Sequence, residues 1–176
     1  MTLPNYISFF RIFLVPFAIG ALFFEFPYHY HVAIVIYAIA AASDLVDGYL
    51  ARTLKQESKM GILLDPIADK LLHVLVMIAL ATLEVFPLWI VMVLIARELI
   101  VDTSLKYATI EKLFIKPPFY AKFKSFFIDI AILCGELFLI MGITVFQTIA
   151  FVNLLVALIL GVMGGRSFWK HIFSKA

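Results

Sequence analysis

The sequence predicts an all-α integral membrane protein with six transmembrane helices. Three observations carry this. Of the 176 residues, 64% are hydrophobic, against about 45–50% in a soluble domain, and mean hydropathy is +1.07. The apolar residues fall into six segments, each near the roughly 20 residues a helix needs to cross a bilayer. None shows the period-2 alternation of a membrane barrel, so helices, which bond their own backbone, are the structure that can span.

The first segment runs from Pro4 to Phe24. Pro27 and the polar run near His29 separate it from the second, His31 to Leu50. The third covers Gly61 to Val85. Pro87 opens the fourth, which reaches Ile110. Glu111 to Phe119 reads as a connection, because Pro117 and Pro118 stop a helix. The fifth segment is Tyr120 to Met141 and the sixth Thr144 to Met163. Residues 1–176 are expected to form one membrane domain, since the chain is too short for two. The single cysteine, Cys134, allows no intrachain disulfide. The first segment is too long for a cleavable signal and contains Arg11.

Charge predicts the orientation. Arg52, Lys55 and Lys59 lie between segments two and three. Lys112, Lys116, Lys122 and Lys124 lie around the next connection on that side, and Arg166, Lys170 and Lys175 follow segment six. The opposite connections, around Glu25, Glu84 and Gly142, hold no Lys or Arg. Basic connections stay in the cytoplasm, so a multi-pass protein of the inner (cytoplasmic) membrane is expected, with both termini cytoplasmic.

Residues 43–70, SDLVDGYLARTLKQESKMGILLDPIADK, hold the chemistry. Asp44, Asp47, Asp65 and Asp69 lie at the ends of apolar runs. One aspartate at the centre of a membrane helix costs roughly 2.5–3.5 kcal/mol, so four need a partner. At about 100° per residue, Asp44, Asp47, Gly48 and Ala51 fall within roughly 100° of arc. Asp65 and Asp69 stack at i and i+4, with Gly61 one turn before them. Clustered carboxylates suit Mg²⁺ or Mn²⁺. The small residues leave room beside the ion, and Mg²⁺ is usually shared with substrate phosphates, so a diphosphate is the expected guest. These aspartates also line the cytoplasmic end, where a soluble nucleotide can reach them.

The pattern D-x2-D-G-x2-A-R-x8-G-x3-D-x3-D, carried by Asp44, Asp47, Gly48, Ala51, Arg52, Gly61, Asp65 and Asp69, resembles the signature of the CDP-alcohol phosphatidyltransferase family, at every position. The resemblance implies a two-metal enzyme: Asp44, Asp47 and Asp65 on one ion, Asp44, Asp65 and Asp69 on the other, and Asp69 as the base for the acceptor hydroxyl. It implies a homodimer and a CDP-diacylglycerol substrate, with Gly48 and Ala51 making space for the nucleotide and Arg52 and Ser58 contacting nucleotide or diphosphate. Leu3-Pro4-Asn5 with Arg11 is similar to the start of the family's glycerol-phosphate branch, which makes Asn5 and Ser8 candidates for holding the CDP group.

Ile95-Ala96-Arg97-Glu98 resembles a motif of that same branch, and Ala121-Lys122-Phe123-Lys124-Ser125 its G-K-x-K-T run. Together with Arg11, Arg97, Lys122 and Lys124 are the expected acceptor-binding cations, suited to an anion such as glycerol 3-phosphate. The implied reaction transfers the phosphatidyl group to glycerol 3-phosphate and releases CMP, with no nucleic-acid partner. Where the branch commonly has Ser and then Arg after the Arg-Glu pair, this chain has Asp102, Thr103 and Ser104. Inositol phosphate, phosphatidylglycerol and serine therefore stay open as acceptors. A divalent-cation transporter would also use intramembrane carboxylates but gives no rationale for Gly48, Ala51 and Arg52. A prenyltransferase also uses metal-bound diphosphates, but its D-x2-D-x3-D runs differ from this pattern and its chains are usually much longer.

Blander readings stand beside these. Arg11 could snorkel to the interface. Arg97 and Glu98, adjacent and on different helix faces, would each need a separate partner, with Asp102 and Lys106 as a supporting ladder. The lysines could be positive-inside anchors. His73 reads as a packing residue and none of the histidines as a metal ligand. Asp129 and Glu136, seven apart, read as interhelix hydrogen-bonding groups. Trp89 and Trp169 fit an aromatic belt.

Overall fold

A computed structural model describes residues 3–54, 59–110 and 123–173, and the side chains of 6–43, 64, 66–104 and 123–166. Among the described residues there are six helices and no strand. They are α1 (Leu3–Phe23), α2 (His29–Leu54), α3 (Lys59–Thr82), α4 (Leu88–Ile110), α5 (Phe123–Met141) and α6 (Thr144–Phe173). Each apolar segment becomes one helix. The stretch expected to connect the fourth and fifth segments lies outside the described residues.

The largest departure is α6, which continues to Phe173 past the expected end at Met163. In sequence, Gly161, Gly164 and Gly165 allow either close helix approach or a helix end. Gly165 serves close approach: a Cβ on it would stand 3.4 Å from Val101 Cγ2 on α4. Two described helices are long and apolar enough to cross a membrane, over Tyr6–Phe23 and Thr144–Arg166. The apolar part of α2, His29–Ser43, is shorter.

α1 packs on α2 and α3, and α5 packs on α6 and α2. Alanines Ala18, Ala33, Ala40, Ala131, Ala150 and Ala157 are fully buried, and small residues let helix backbones approach closely. Tyr37, Leu72, Val76, Leu80, Phe86, Ile132 and Leu154 fill the remaining core. The outer surface is the reverse of a soluble protein's. Phe13, Phe17, Met92, Val145 and Ile159 are each more than half exposed, an apolar surface that suits lipid.

Three tight corners close one end of the bundle. Each contains a residue in the left-handed region: Tyr28 (φ 63°), Glu84 (φ 60°) and Gly142 (φ 68°). α3 ends in a Schellman motif. Val85 N–H donates to Leu80 C=O at 2.9 Å and Glu84 N–H to Ala81 C=O at 3.1 Å. The Gln147 side-chain amide on α6 donates to the carbonyls of Glu84 (3.3 Å) and Val85 (3.2 Å). That bond ties the α3–α4 and α5–α6 corners together.

Candidate active site

The aspartates belong to the opposite end. α2 and α3 touch, and their backbones are helical through all four positions. Asp47 stands seven residues before Leu54 and Asp65 six residues after Lys59, about 10 Å of helix in each case. Asp44 and Asp69 both stand ten residues in, about 15 Å. The two helices thus carry these four positions at matching distances from Leu54 and Lys59. Pro66 lies inside α3 directly after Asp65 and removes one intrahelical N–H there.

The side chains of Asp44, Asp47 and Asp65 lie outside the described set, as do those of Asn5, Gly48, Ala51, Arg52 and Gly61, although all eight residues fall within α1, α2 or α3. Ser58 and Lys122 lie outside the described residues. Among the described residues no three His, Cys, Asp or Glu side chains could hold an ion on their own. A donor set of four aspartates on two touching helices fits hard divalent cations.

Asp69 is described, and it lines a recess between α3, α4 and α5 that also presents Lys70, His73, Glu98, Lys124 and Ser125. Of the expected acceptor cations, Lys124 is therefore brought beside Asp69. Arg97 is not among the residues lining that recess. Its Nη1 donates to Glu98 Oε2 at 2.8 Å and its Nη2 to Gly161 C=O at 2.6 Å. Lys124 Nζ donates to the same Glu98 oxygen at 2.5 Å.

Arg97 and Glu98 each have a separate partner, as expected, Gly161 on α6 for Arg97 and Lys124 on α5 for Glu98, and the two also bond each other. Both side chains are long enough to meet across the helix surface, and Glu98 ties α4 to α5. Asp102 pairs with Lys70 of α3; the expected ladder with Lys106 falls on a side chain outside the described set.

Arg11 does not snorkel. It is fully buried, and its Nε donates to Ser43 Oγ at 3.3 Å, next to Asp44 in sequence. Ser8, one turn earlier, is also fully buried. α1 thus delivers Arg11 to Ser43, at the start of the aspartate motif.

His73 is more than packing. Its Nε2 lies 2.7 Å from Asp129 Oδ1, and its Nδ1 lies 3.5 Å from Asp69 Oδ1. The Tyr37 hydroxyl donates to the same Asp129 oxygen at 2.8 Å. The sequence held one signal for this, the i,i+4 spacing of Asp69 and His73. Asp129 does bond between helices, as expected. Glu136 does not: it is fully buried, and neither of its oxygens has a hydrogen-bond partner among the described residues.

Comparison with known proteins fits this geometry. The family model for CDP-alcohol phosphatidyltransferase matches residues 1–164. The chain belongs to the CDP-alcohol phosphatidyltransferase family. Among its relatives are three proteins named CDP-diacylglycerol–glycerol-3-phosphate 3-phosphatidyltransferase. The one from Pseudomonas fluorescens is 40% identical over 105 residues, covering 58% of this chain and 53% of that protein. The one from Yersinia enterocolitica is 34% identical over 107 residues, 58% of each chain. That from Salmonella choleraesuis is 35% identical over 103 residues, 57% of this chain and 56% of that protein. The chain spans about half the length of the curated relatives it matches. The whole aspartate motif falls inside the matched family region.

Proposed function

We propose that the protein transfers the phosphatidyl group of CDP-diacylglycerol to glycerol 3-phosphate, forming phosphatidylglycerophosphate and releasing CMP. Family membership and the names of the relatives support the reaction class. The observation that carries the reading is the common recess of Asp69 and Lys124, a carboxylate beside a cation at the aspartate end of the bundle. Asp44, Asp47, Asp65 and Asp69 would hold two Mg²⁺ or Mn²⁺ ions. When bound, the ions supply neutralisation of the diphosphate and of the departing CMP.

The chain's own residues do the rest. Asp69 takes the proton of the acceptor hydroxyl as its oxygen attacks the lipid phosphorus. Gly48, Ala51 and Gly61 leave room for the nucleotide, while Asn5, Ser8, Arg52 and Ser58 hold it. Arg97, Lys122 and Lys124 select an anionic alcohol, with Arg11 extending that set. Glu98 orients both Arg97 and Lys124, and bonds between charged groups are short and directional.

All six helices span the inner membrane in this reading, as one domain of residues 1–176 that works as a homodimer. The basic connections put the aspartates at the cytoplasmic face, and the acyl chains stay in the bilayer.

The test is purified protein with CDP-diacylglycerol, Mg²⁺ and a panel of acceptors, scoring CMP release. Release that depends on glycerol 3-phosphate is expected. One observation favours a second acceptor class: Glu98 offsets part of the charge of Arg97 and Lys124, which suits a less anionic alcohol such as serine. CMP release with serine and none with glycerol 3-phosphate would replace the first reading with the second.

A further inference from the structure

Arg97 lies near the recess of Asp69 and Lys124 but does not face it. Its side chain is 13% exposed and is not among those that line the recess. The guanidinium lies instead against α6: a Cβ on Gly161 would stand 3.0 Å from Arg97 Nε, 3.3 Å from Cδ and 3.4 Å from Cζ. Nη2 donates to the Gly161 carbonyl at 2.6 Å, and Nε is buried with no hydrogen-bond partner among the described residues. Nη1 reaches back along α4 to Glu98 Oε2 at 2.8 Å. The same oxygen accepts from Lys124 Nζ of α5 at 2.5 Å. Glu98 and Lys124, unlike Arg97, do line the recess. The three residues form one chain of charge from α6 through α4 to α5, and only its last two members face a guest.

We propose that Arg97 is a positioning residue for Lys124, anchored on α6 and acting through Glu98, and that it enters acceptor selection without touching the acceptor. This deepens the reading of Lys124 as an acceptor-binding cation and rests on it. Two cations on one carboxylate leave the cluster one net positive charge. Arginine keeps its charge at any working pH, and a lysine ammonium has three donors to share. Without Arg97 the whole charge of Glu98 falls on Lys124. In a partly buried site that attraction is several times stronger than in water. It draws the ammonium toward α4 and cancels the charge an anionic alcohol needs.

Two other roles compete, and a double-mutant cycle separates all three. The full chain is purified in detergent and assayed with CDP-diacylglycerol, glycerol 3-phosphate and Mg²⁺, with thermal unfolding measured alongside. Arg97→Gln should raise the acceptor KM about tenfold, the size of one charged hydrogen bond, and leave the KM for CDP-diacylglycerol within about twofold. In a Glu98→Gln background the same Arg97→Gln change should move the acceptor KM by less than about twofold, because its route to Lys124 is gone. A direct contact between Arg97 and the acceptor predicts the same tenfold rise with and without Glu98, and that result overturns the proposal. A brace between α4 and α6 predicts that both KM values and kcat follow Tm, or that the acceptor KM does not move at all. Either result overturns it too.

Gly161→Ala covers the case in which these variants do not fold. It crowds Arg97 Nε and changes no charge and no residue of the recess. It should raise the acceptor KM about threefold, part of the loss of one charged hydrogen bond, at constant KM for CDP-diacylglycerol. An unchanged acceptor KM there overturns the proposal. A wild-type protein that releases no CMP with glycerol 3-phosphate overturns the proposed reaction and this role together. An active wild type in which the Arg97→Gln effect is indifferent to Glu98 overturns this role alone.

Discussion

At the scale of single residues, the proposed reaction gives the aspartates and the cations separate work. Asp69→Asn keeps the size of the side chain and removes its basicity. Turnover should fall below about one thousandth, near the upper range for losing a general base, while CDP-diacylglycerol binding partly survives; CMP release and equilibrium binding measure the two. Lys124→Ala removes one cation from the recess and leaves Glu98 its bond to Arg97. The KM for the acceptor should rise about tenfold, the size of one charged hydrogen bond, with the KM for CDP-diacylglycerol unchanged. Equal rises in both would remove Lys124 from acceptor selection. Glu136 tests burial rather than chemistry. It is fully buried without a hydrogen-bond partner among the described residues, and an unsatisfied buried polar group costs about 1–3 kcal/mol. Glu136→Met, similar in volume, should raise Tm by several degrees and leave kcat unchanged. A fall in activity at constant Tm would show that Glu136 serves the reaction.

At the scale of helices, close approach and corner geometry decide stability. Gly135 on α5 faces the α3–α4 corner, where a Cβ would stand 3.0 Å from Phe86 Cζ and 3.1 Å from Val85 Cγ1. Phe86 and Val85 are themselves buried, so neither can retreat. Gly135→Ala should destabilise by about 1–3 kcal/mol, as overpacking does, and Tm of the purified protein reads it. The seam between α4 and α6 has the same character. A Cβ on Gly161 would stand 3.0 Å from Arg97 Nε, so the bare glycine is what lets the guanidinium reach the Gly161 carbonyl. Helix number and most helix ends were legible in the sequence, because apolar runs and prolines mark them locally. The end of α6 was not. A glycine that stops a helix and a glycine that admits a neighbour look alike until the neighbour is known.

At the scale of the whole molecule, the sequence carried the aspartate motif completely, since its information lies in spacing within 26 residues. It did not carry the string of Tyr37, His73 and Asp129, whose members stand 56 and 92 residues apart along the chain. It gave Arg97 and Glu98 their separate partners but not the bond between them, because helix-face arguments follow Cβ directions, while long side chains bend back. The proposed orientation has its own test. In a Cys134→Ser background, single cysteines at Glu25, Glu84 and Ile143 should react with a membrane-impermeant thiol reagent from outside intact cells, and a cysteine at Lys175 only after lysis. The reverse pattern would put the aspartates on the wrong side for a cytosolic nucleotide. Glu84 and Gln147 add one mechanical point. With the corners cinched together at their end, a guest with two greasy tails that wedges the helices apart does so as fingers open a clothes-peg, widest at the carboxylate jaws and least at the spring.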